Sequence, residues 1–209
     1  MLRRVICGSG VLLALALAGG VAQAQEPRLV GRLSDAARAQ VDTILESARR
    51  DGLPSEPLVD RALEGASKRA PDALIVAAVR RLVEELGAAR DALGSGVSDA
   101  EIAAGASALR AGARPDDLAQ LRARRAGRSV TVAEAVLTDL VALGIPPDTA
   151  AAAVLAMAET DDAAYLAFRR NVERDVALGA TPVAALMSRV AGGETAVADP
   201  TGRPGPRKP

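Results

Sequence analysis

The chain has 209 residues with 26 basic and 26 acidic side chains, so its formal net charge is zero. It has no His, no Trp and one Cys, and aromatic residues make up 1% of the chain. Without His there is no Ser–His–Asp or Cys–His nucleophile and no His-ligated zinc. We therefore expect no cofactor and no metal site. Because base-stacking surfaces use aromatic side chains, we also expect no nucleic-acid partner.

The N-terminal segment has the pattern of a secretory signal peptide. A basic start with Arg3-Arg4 is followed by an apolar stretch, and the small residues Ala22 and Ala24 precede a cleavage site before Gln25. The sequence thus predicts a signal peptide over residues 1–24, and export to the periplasm or the extracellular space. The alternative is an uncleaved N-terminal membrane anchor, although the strongly apolar run is shorter than the roughly 20 residues of a membrane span. The general secretory route is favoured over the twin-arginine route, which stays open.

After cleavage the chain predicts three regions and no stable membrane span. Residues 25–33 are expected to be a linker, 34–191 a single helical domain, and 192–209 a disordered tail rich in Gly and Pro. Ala is the most helix-favouring residue and accounts for 47 of the 209 positions. Apolar residues recur with helical spacing, and no segment alternates as a strand would. The predicted helix starts are at Ser34, Ser55, Pro71, Ser98, Pro115, Thr131, Pro147, Thr160 and Thr181.

These segments predict an all-α fold, an irregular bundle or short array of about eight to nine short helices. A related Gly–aliphatic–(Pro or Ser) motif occurs at Gly52, Gly96 and Gly144. Its spacing lies within the range of helical repeat units, so an α-solenoid is the alternative architecture. Other positions do not align between these units, which favours the irregular bundle.

Two helix starts have the pattern of a capping box. Ser98 is followed three residues later by Glu101, and Thr131 by Glu134. In such a box the hydroxyl accepts the backbone N–H of the third helical residue, and the carboxylate accepts the backbone N–H of the cap residue. This role accounts for both glutamates without a catalytic function. Paired aspartates elsewhere lie at predicted helix starts, where the helix dipole favours negative charge.

The most basic stretch, residues 110–128, holds six Arg and two Asp. Arg114, Arg122 and Arg125 are weak candidates for an anion-binding site, because the guanidinium group recognises anions with two parallel hydrogen bonds. The competing interpretation is a solvated surface whose arginines pair with nearby carboxylates. On that interpretation, changing Arg122 and Arg125 together to Gln should alter stability by less than about 1 kcal/mol.

Large side chains near the C-terminal end of the domain form a second weak candidate. Met157, Tyr165, Phe168 and Met187 could line a small apolar pocket. Scarce large residues with helical spacing are more often simply part of the core.

Two classes of function remain after these exclusions. The first is an exported, non-catalytic helical protein that binds a protein or an envelope component. The second is a small envelope hydrolase or lyase that uses carboxylates and Arg. It requires a cleft in which a carboxylate is buried beside an Arg or a second carboxylate.

Overall fold

A computed structural model describes residues 26–192; the predicted signal peptide and positions 193–209 of the predicted tail lie outside the described residues. The described chain is all-helical, with one short 3-10 helix at Pro27–Leu29 and nine α-helices. This confirms the predicted fold class. The α-helices are α1 (Asp35–Arg50), α2 (Glu56–Ser67), α3 (Asp72–Leu93), α4 (Asp99–Arg110), α5 (Pro115–Arg124), α6 (Thr131–Ala142), α7 (Pro147–Ala156), α8 (Asp162–Ala177) and α9 (Pro182–Ala191).

At four of the nine described α-helices, α1, α4, α8 and α9, the side chain of the cap residue accepts a backbone N–H of the first turn. The hydroxyl of Ser34 accepts the N–H of Ala37, and the hydroxyl of Thr181 accepts the N–H of Ala184. At α4 the predicted capping box is complete, since Ser98 Oγ accepts the N–H of Glu101 and a Glu101 oxygen accepts the N–H of Ser98. These caps bind N–H groups that have no partner inside their own helix.

One kind of turn recurs between helices. In five places within residues 26–192, a backbone N–H binds the carbonyl oxygen five residues earlier, the bond that closes a Schellman motif. The residue before each donor has a positive φ, and it is Gly in four cases and Arg69 in the fifth. A Pro follows the donor within two residues, which prevents the helix from continuing. The donors are Leu53, Ala70, Ala113, Ile145 and Ala180.

The helices pack mainly on their neighbours along the chain. The long helix α3 contacts α1, α2, α4 and α5, and α6 contacts α4, α7 and α8, while α9 packs on α8. The principal contacts therefore join helices that follow one another in the chain or that have one helix between them in the sequence. This arrangement is that of a short array, built around one continuous cluster of buried side chains.

Small residues allow close approach of these helices. At Gly105 of α4, an added Cβ would lie 3.1 Å from Leu118 of α5 and 3.2 Å from Ala89 of α3. It would also lie 3.2 Å from an oxygen of Glu134 on α6. Four helices thus meet at this one glycine, and the high Ala content of the buried cluster has the same effect elsewhere.

The segment predicted as a linker packs against the helices. Leu29 and Leu33 are buried in the core, and the N–H of Glu26 donates to Asp42 of α1. Sequence reasoning missed this because two isolated leucines show no periodicity. Within the described residues, no helix is both long and apolar enough to cross a membrane.

Candidate functional site

Three ionisable side chains meet where α4, α5 and α6 come together; they are called the Glu101–Arg122–Glu134 cluster below. Glu101 lies at the first turn of α4, Arg122 on α5 and Glu134 at the fourth position of α6. The exposed fraction is 5% for Glu101 and 0% for Glu134. Charged side chains are rarely buried to this extent without partners, so the cluster is the strongest candidate site in the described chain.

Glu101 is fully engaged. One oxygen accepts the N–H and the hydroxyl of Ser98, at 2.8 and 3.0 Å. The other accepts Nη1 of Arg122 and the backbone N–H of Val130, each at 3.2 Å. Burial opposes its ionisation, but the hydrogen bonds from Ser98 and Val130 and the nearby Arg122 hold the pKa of Glu101 below its usual range. Glu101 therefore stays charged and ties the starts of α4 and α6 to α5.

Glu134 has the opposite environment. Both of its carboxylate oxygens are buried, and neither has a hydrogen-bond partner. Burial, with a smaller contribution from the negative charge of Glu101, raises the pKa of Glu134 to about 8, and Arg122 only partly opposes this. At neutral pH the side chain is therefore mainly the neutral acid.

The capping-box assignment of Glu134 is wrong. Thr131 is the first helical residue and not the cap, and the cap position is occupied by Val130, whose side chain makes no capping hydrogen bond. The N–H of Thr131 instead binds the hydroxyl of Ser129. A signal for burial was present in the sequence, because Glu134 shares a helix face with Leu137, three residues later. A carboxylate within an apolar stripe is more informative than one at a helix start.

The arginines of the basic stretch are each engaged within the chain. Arg114 pairs with Asp117 at 3.1 Å, and Arg122 pairs with Glu101. The buried Arg125 donates to the carbonyl oxygens of Ser129 and Thr160 and to Asp162. The structure therefore gives Arg114, Arg122 and Arg125 different partners. The anion-binding hypothesis stays a prediction without a shared site to support it.

The four residues of the weak apolar-pocket candidate do not lie together. Met157, Tyr165 and Phe168 are buried in the core, and the Tyr165 hydroxyl donates to the carbonyl oxygen of Val154 at 2.9 Å. Arg125 lies over the Tyr165 ring, 5.1 Å from its centre. Met187 lies on α9 with 53% of its surface exposed. The first three therefore support the helices, whereas Met187 is not buried with them.

A groove of about 370 Å³ runs between α2, α3 and α4; we call it the α2–α4 groove. Leu82 and Leu86 of α3 form its floor. Its walls carry acidic, basic and hydroxyl side chains, and they include Asp60, Arg61, Glu64, Ser107 and Arg110. Two smaller grooves, of about 300 and 280 Å³, lie between α1 and α3 and share Gln40 and Arg80. None of these three grooves is lined by the Glu101–Arg122–Glu134 cluster.

Two further observations concern metal binding and similarity to known proteins. Among residues 26–192, no group of three or more His, Cys, Asp or Glu side chains is arranged to hold a metal ion. No family model, curated protein or solved structure matches the chain.

Proposed function

We propose that the chain is exported and acts by binding a protein segment or an envelope component, without catalysis. The α2–α4 groove is the observation that supports this proposal most. Its apolar floor can take an aliphatic side chain, and its walls offer hydrogen-bond donors and acceptors of both charges. A polypeptide segment presents the same mixture, so a protein is the favoured partner class.

Several charged side chains in the walls of the α2–α4 groove are already held by ion pairs within the chain. Glu64 pairs with both Arg61 and Lys68 along α2, and Arg110 pairs with Glu85 across to α3. Asp60 is exposed at the edge of the groove. A wall with fixed charges loses less side-chain entropy when a partner binds, which favours a specific interaction over general adhesion.

Site-directed photo-crosslinking tests the groove. A photoreactive residue replacing Ser107 in the groove should give a defined adduct in an envelope extract of the source cells. The matched control replaces Gln120, which is exposed on α5 outside the groove. An Asp60→Arg change should weaken the Ser107 adduct. Equal adducts at both positions, or no effect of the Asp60 change, would count against the groove.

Export is proposed on the sequence pattern of residues 1–24. Removing them takes away Arg3 and Arg4 and leaves 24 basic against 26 acidic residues, a nearly neutral mature chain. Mass spectrometry of the protein isolated from its own cells should find an N-terminus at or near Gln25. An intact Met1 in the membrane fraction would favour the anchor alternative, and an intact Met1 in the cytosol would disprove export.

The alternative function, a small envelope hydrolase or lyase, rests on Glu134. A carboxylic acid with a pKa of about 8 is protonated at neutral pH, as a general acid must be, and Glu101 and Arg122 lie beside it. Its complete burial argues against this role, because a substrate would have to open the helix junction to reach it. Any hydrolytic activity of the purified chain that Glu134→Gln abolishes, while the exposed Glu84→Gln does not, would reverse this preference.

A further inference from the structure

The junction of α4, α5 and α6 contains a buried acid, Glu134, whose carboxyl oxygens have no hydrogen-bond partner to stabilise the ionised form. We propose that Glu134 is a pH-sensitive switch: its neutral form keeps α6 closed against α4, and its ionised form loosens this junction. The proposal is independent of the groove and of export, since it concerns only contacts within the chain.

The position of Glu134 explains why ionisation would affect packing. One oxygen lies 3.2 Å from where a Cβ on Gly105 would be, so the carboxyl group is pressed against the α4 backbone. The side chain has no exposed surface and neither oxygen has a hydrogen-bond partner. A carboxylate in this position would lack both water and a hydrogen-bond partner, and separation of α4 from α6 would restore its access to water.

The charged groups around Glu134 set the direction of the response. Glu101 of α4 opposes its ionisation and Arg122 of α5 favours it, but Arg122 is already bound to Glu101. Two further helices pack on α6, and neither α7 nor α8 contributes a charge to the titration of Glu134. On α8, Arg169 pairs instead with Asp139, elsewhere on α6. Arg122 therefore offsets only part of the burial cost, and no charge on α7 or α8 adds to it.

The same cluster links ionisation to neighbouring segments. Val130, one turn before Glu134, donates its N–H to the Glu101 oxygen that also binds Arg122. A second negative charge next to Glu101 would repel it and weaken both bonds. Opening would thus start where α6 begins and reach α5 through Arg122. Burial raises the pKa of Glu134 to about 8, so the transition should occur in mildly alkaline solution.

Amide hydrogen exchange at pH 6 and pH 9.5, corrected for the intrinsic effect of pH, tests the switch. In the wild-type chain, protection of peptides from α4 and α6 should fall about tenfold at the higher pH, while α1 should change little. Glu134→Gln keeps the shape but cannot ionise, so it should remove this difference. Glu84→Gln, the same change on the exposed side of α3, should behave as wild type.

Two outcomes would overturn the proposal. One is an equal loss of protection at pH 9.5 in wild type and Glu134→Gln; the other is no loss in wild type. Carbon-13 NMR of labelled glutamate carboxyl groups in the unaltered chain provides a second test that does not depend on the variant folding. A Glu134 resonance that titrates near pH 8 supports the switch, and a midpoint below pH 6 contradicts it.

Discussion

Two buried ionisable residues, Arg125 and Glu134, have opposite surroundings. Arg125 occupies the cap position that follows α5 and has 2% of its surface exposed; it donates to two carbonyl oxygens and to Asp162 while stacking on Tyr165. Glu134 is equally buried and has no hydrogen-bond partner. Burial alone therefore does not determine whether a charge persists, because the partners that replace water decide it.

The comparison also separates two kinds of helix junction. Arg125 and Arg128 bind the carbonyl oxygens at the turn between α7 and α8, including that of Thr160, which both of them contact. That junction depends on guanidinium groups that donate to backbone oxygens. The junction of α4 and α6 depends instead on an acid remaining neutral. The second junction should therefore respond to pH.

The largest expected effect on stability comes from removing the hydrogen-bonded guanidinium group of Arg125. Arg125→Ala removes the donor to the carbonyl oxygens of Ser129 and Thr160 together with the packing on Tyr165, and it should lower the free energy of unfolding by about 3–5 kcal/mol. Arg125→Lys should restore little of this loss, because one ammonium group cannot reproduce the separate guanidinium contacts. Urea unfolding measures both. Arg124→Ala, at the exposed neighbouring position, is the control and should cost less than about 1 kcal/mol.

Because Arg125 is buried, the effect expected from the sequence for changing Arg122 and Arg125 together to Gln has to be revised. That expectation, a shift below about 1 kcal/mol, assumed that Arg122 and Arg125 were both solvated or paired at the surface. Arg125 is buried, so the double variant should be destabilised by several times that amount. A small loss in the double variant would mean that α5 does not end against Thr160.

The second-largest expected effect is a pH dependence of the free energy of unfolding that is caused by Glu134. The pKa of Glu134 is higher in the folded chain than in the unfolded one, so its stabilising contribution is complete below about pH 4.5 and is lost as the pH rises to about 8. Between pH 4.5 and 7 this loss amounts to roughly 3 kcal/mol. The wild type should therefore lose this much relative to Glu134→Gln, measured by unfolding across that range. Parallel stability curves for the two proteins would contradict the assignment.

A matched pair of glycines tests the packing around Glu134. Gly105→Ala places a methyl group 3.1–3.2 Å from three side chains and should cost about 1–3 kcal/mol. Gly87→Ala on α3 meets nothing within 4 Å and should stabilise the protein by about 0.5–1 kcal/mol through helix propensity. Thermal unfolding should show a lower melting temperature for Gly105→Ala and a higher one for Gly87→Ala than for the wild type. The same sign at both positions would show that α4 is not closely packed at Gly105.

The smallest effect tests the cap of α4. Ser98→Ala removes the acceptor for the N–H of Glu101 and should cost about 1 kcal/mol. Ser107→Ala lies inside the same helix, where Ser107 only binds the carbonyl oxygen of Ala103, and it should be nearly neutral. Equal losses would mean that Ser98 does not cap the helix.

The sequence by itself determined the helices, because their starts and ends depend on neighbouring residues. Ser34, Ser98 and Thr181 bind N–H groups three residues later, and Gly52 and Gly144 adopt the positive φ that ends a helix. Such interactions lie within one turn, so residue types and spacing were sufficient. The start of α6 was misread because Thr131 can equally be a cap or a first helical residue.

Only the tertiary structure decided the environments of the charged residues. Helical spacing places Arg122 and Arg125 on one face, but it does not reveal that Thr160 and Asp162 lie against Arg125. Likewise, helical spacing places Glu134 near the apolar stripe of α6, but it does not show that Gly105 of α4 packs against its carboxyl group. The partners of these residues lie some 30 residues away in sequence. Their burial and ionisation therefore depend on how whole helices pack, which no local pattern encodes.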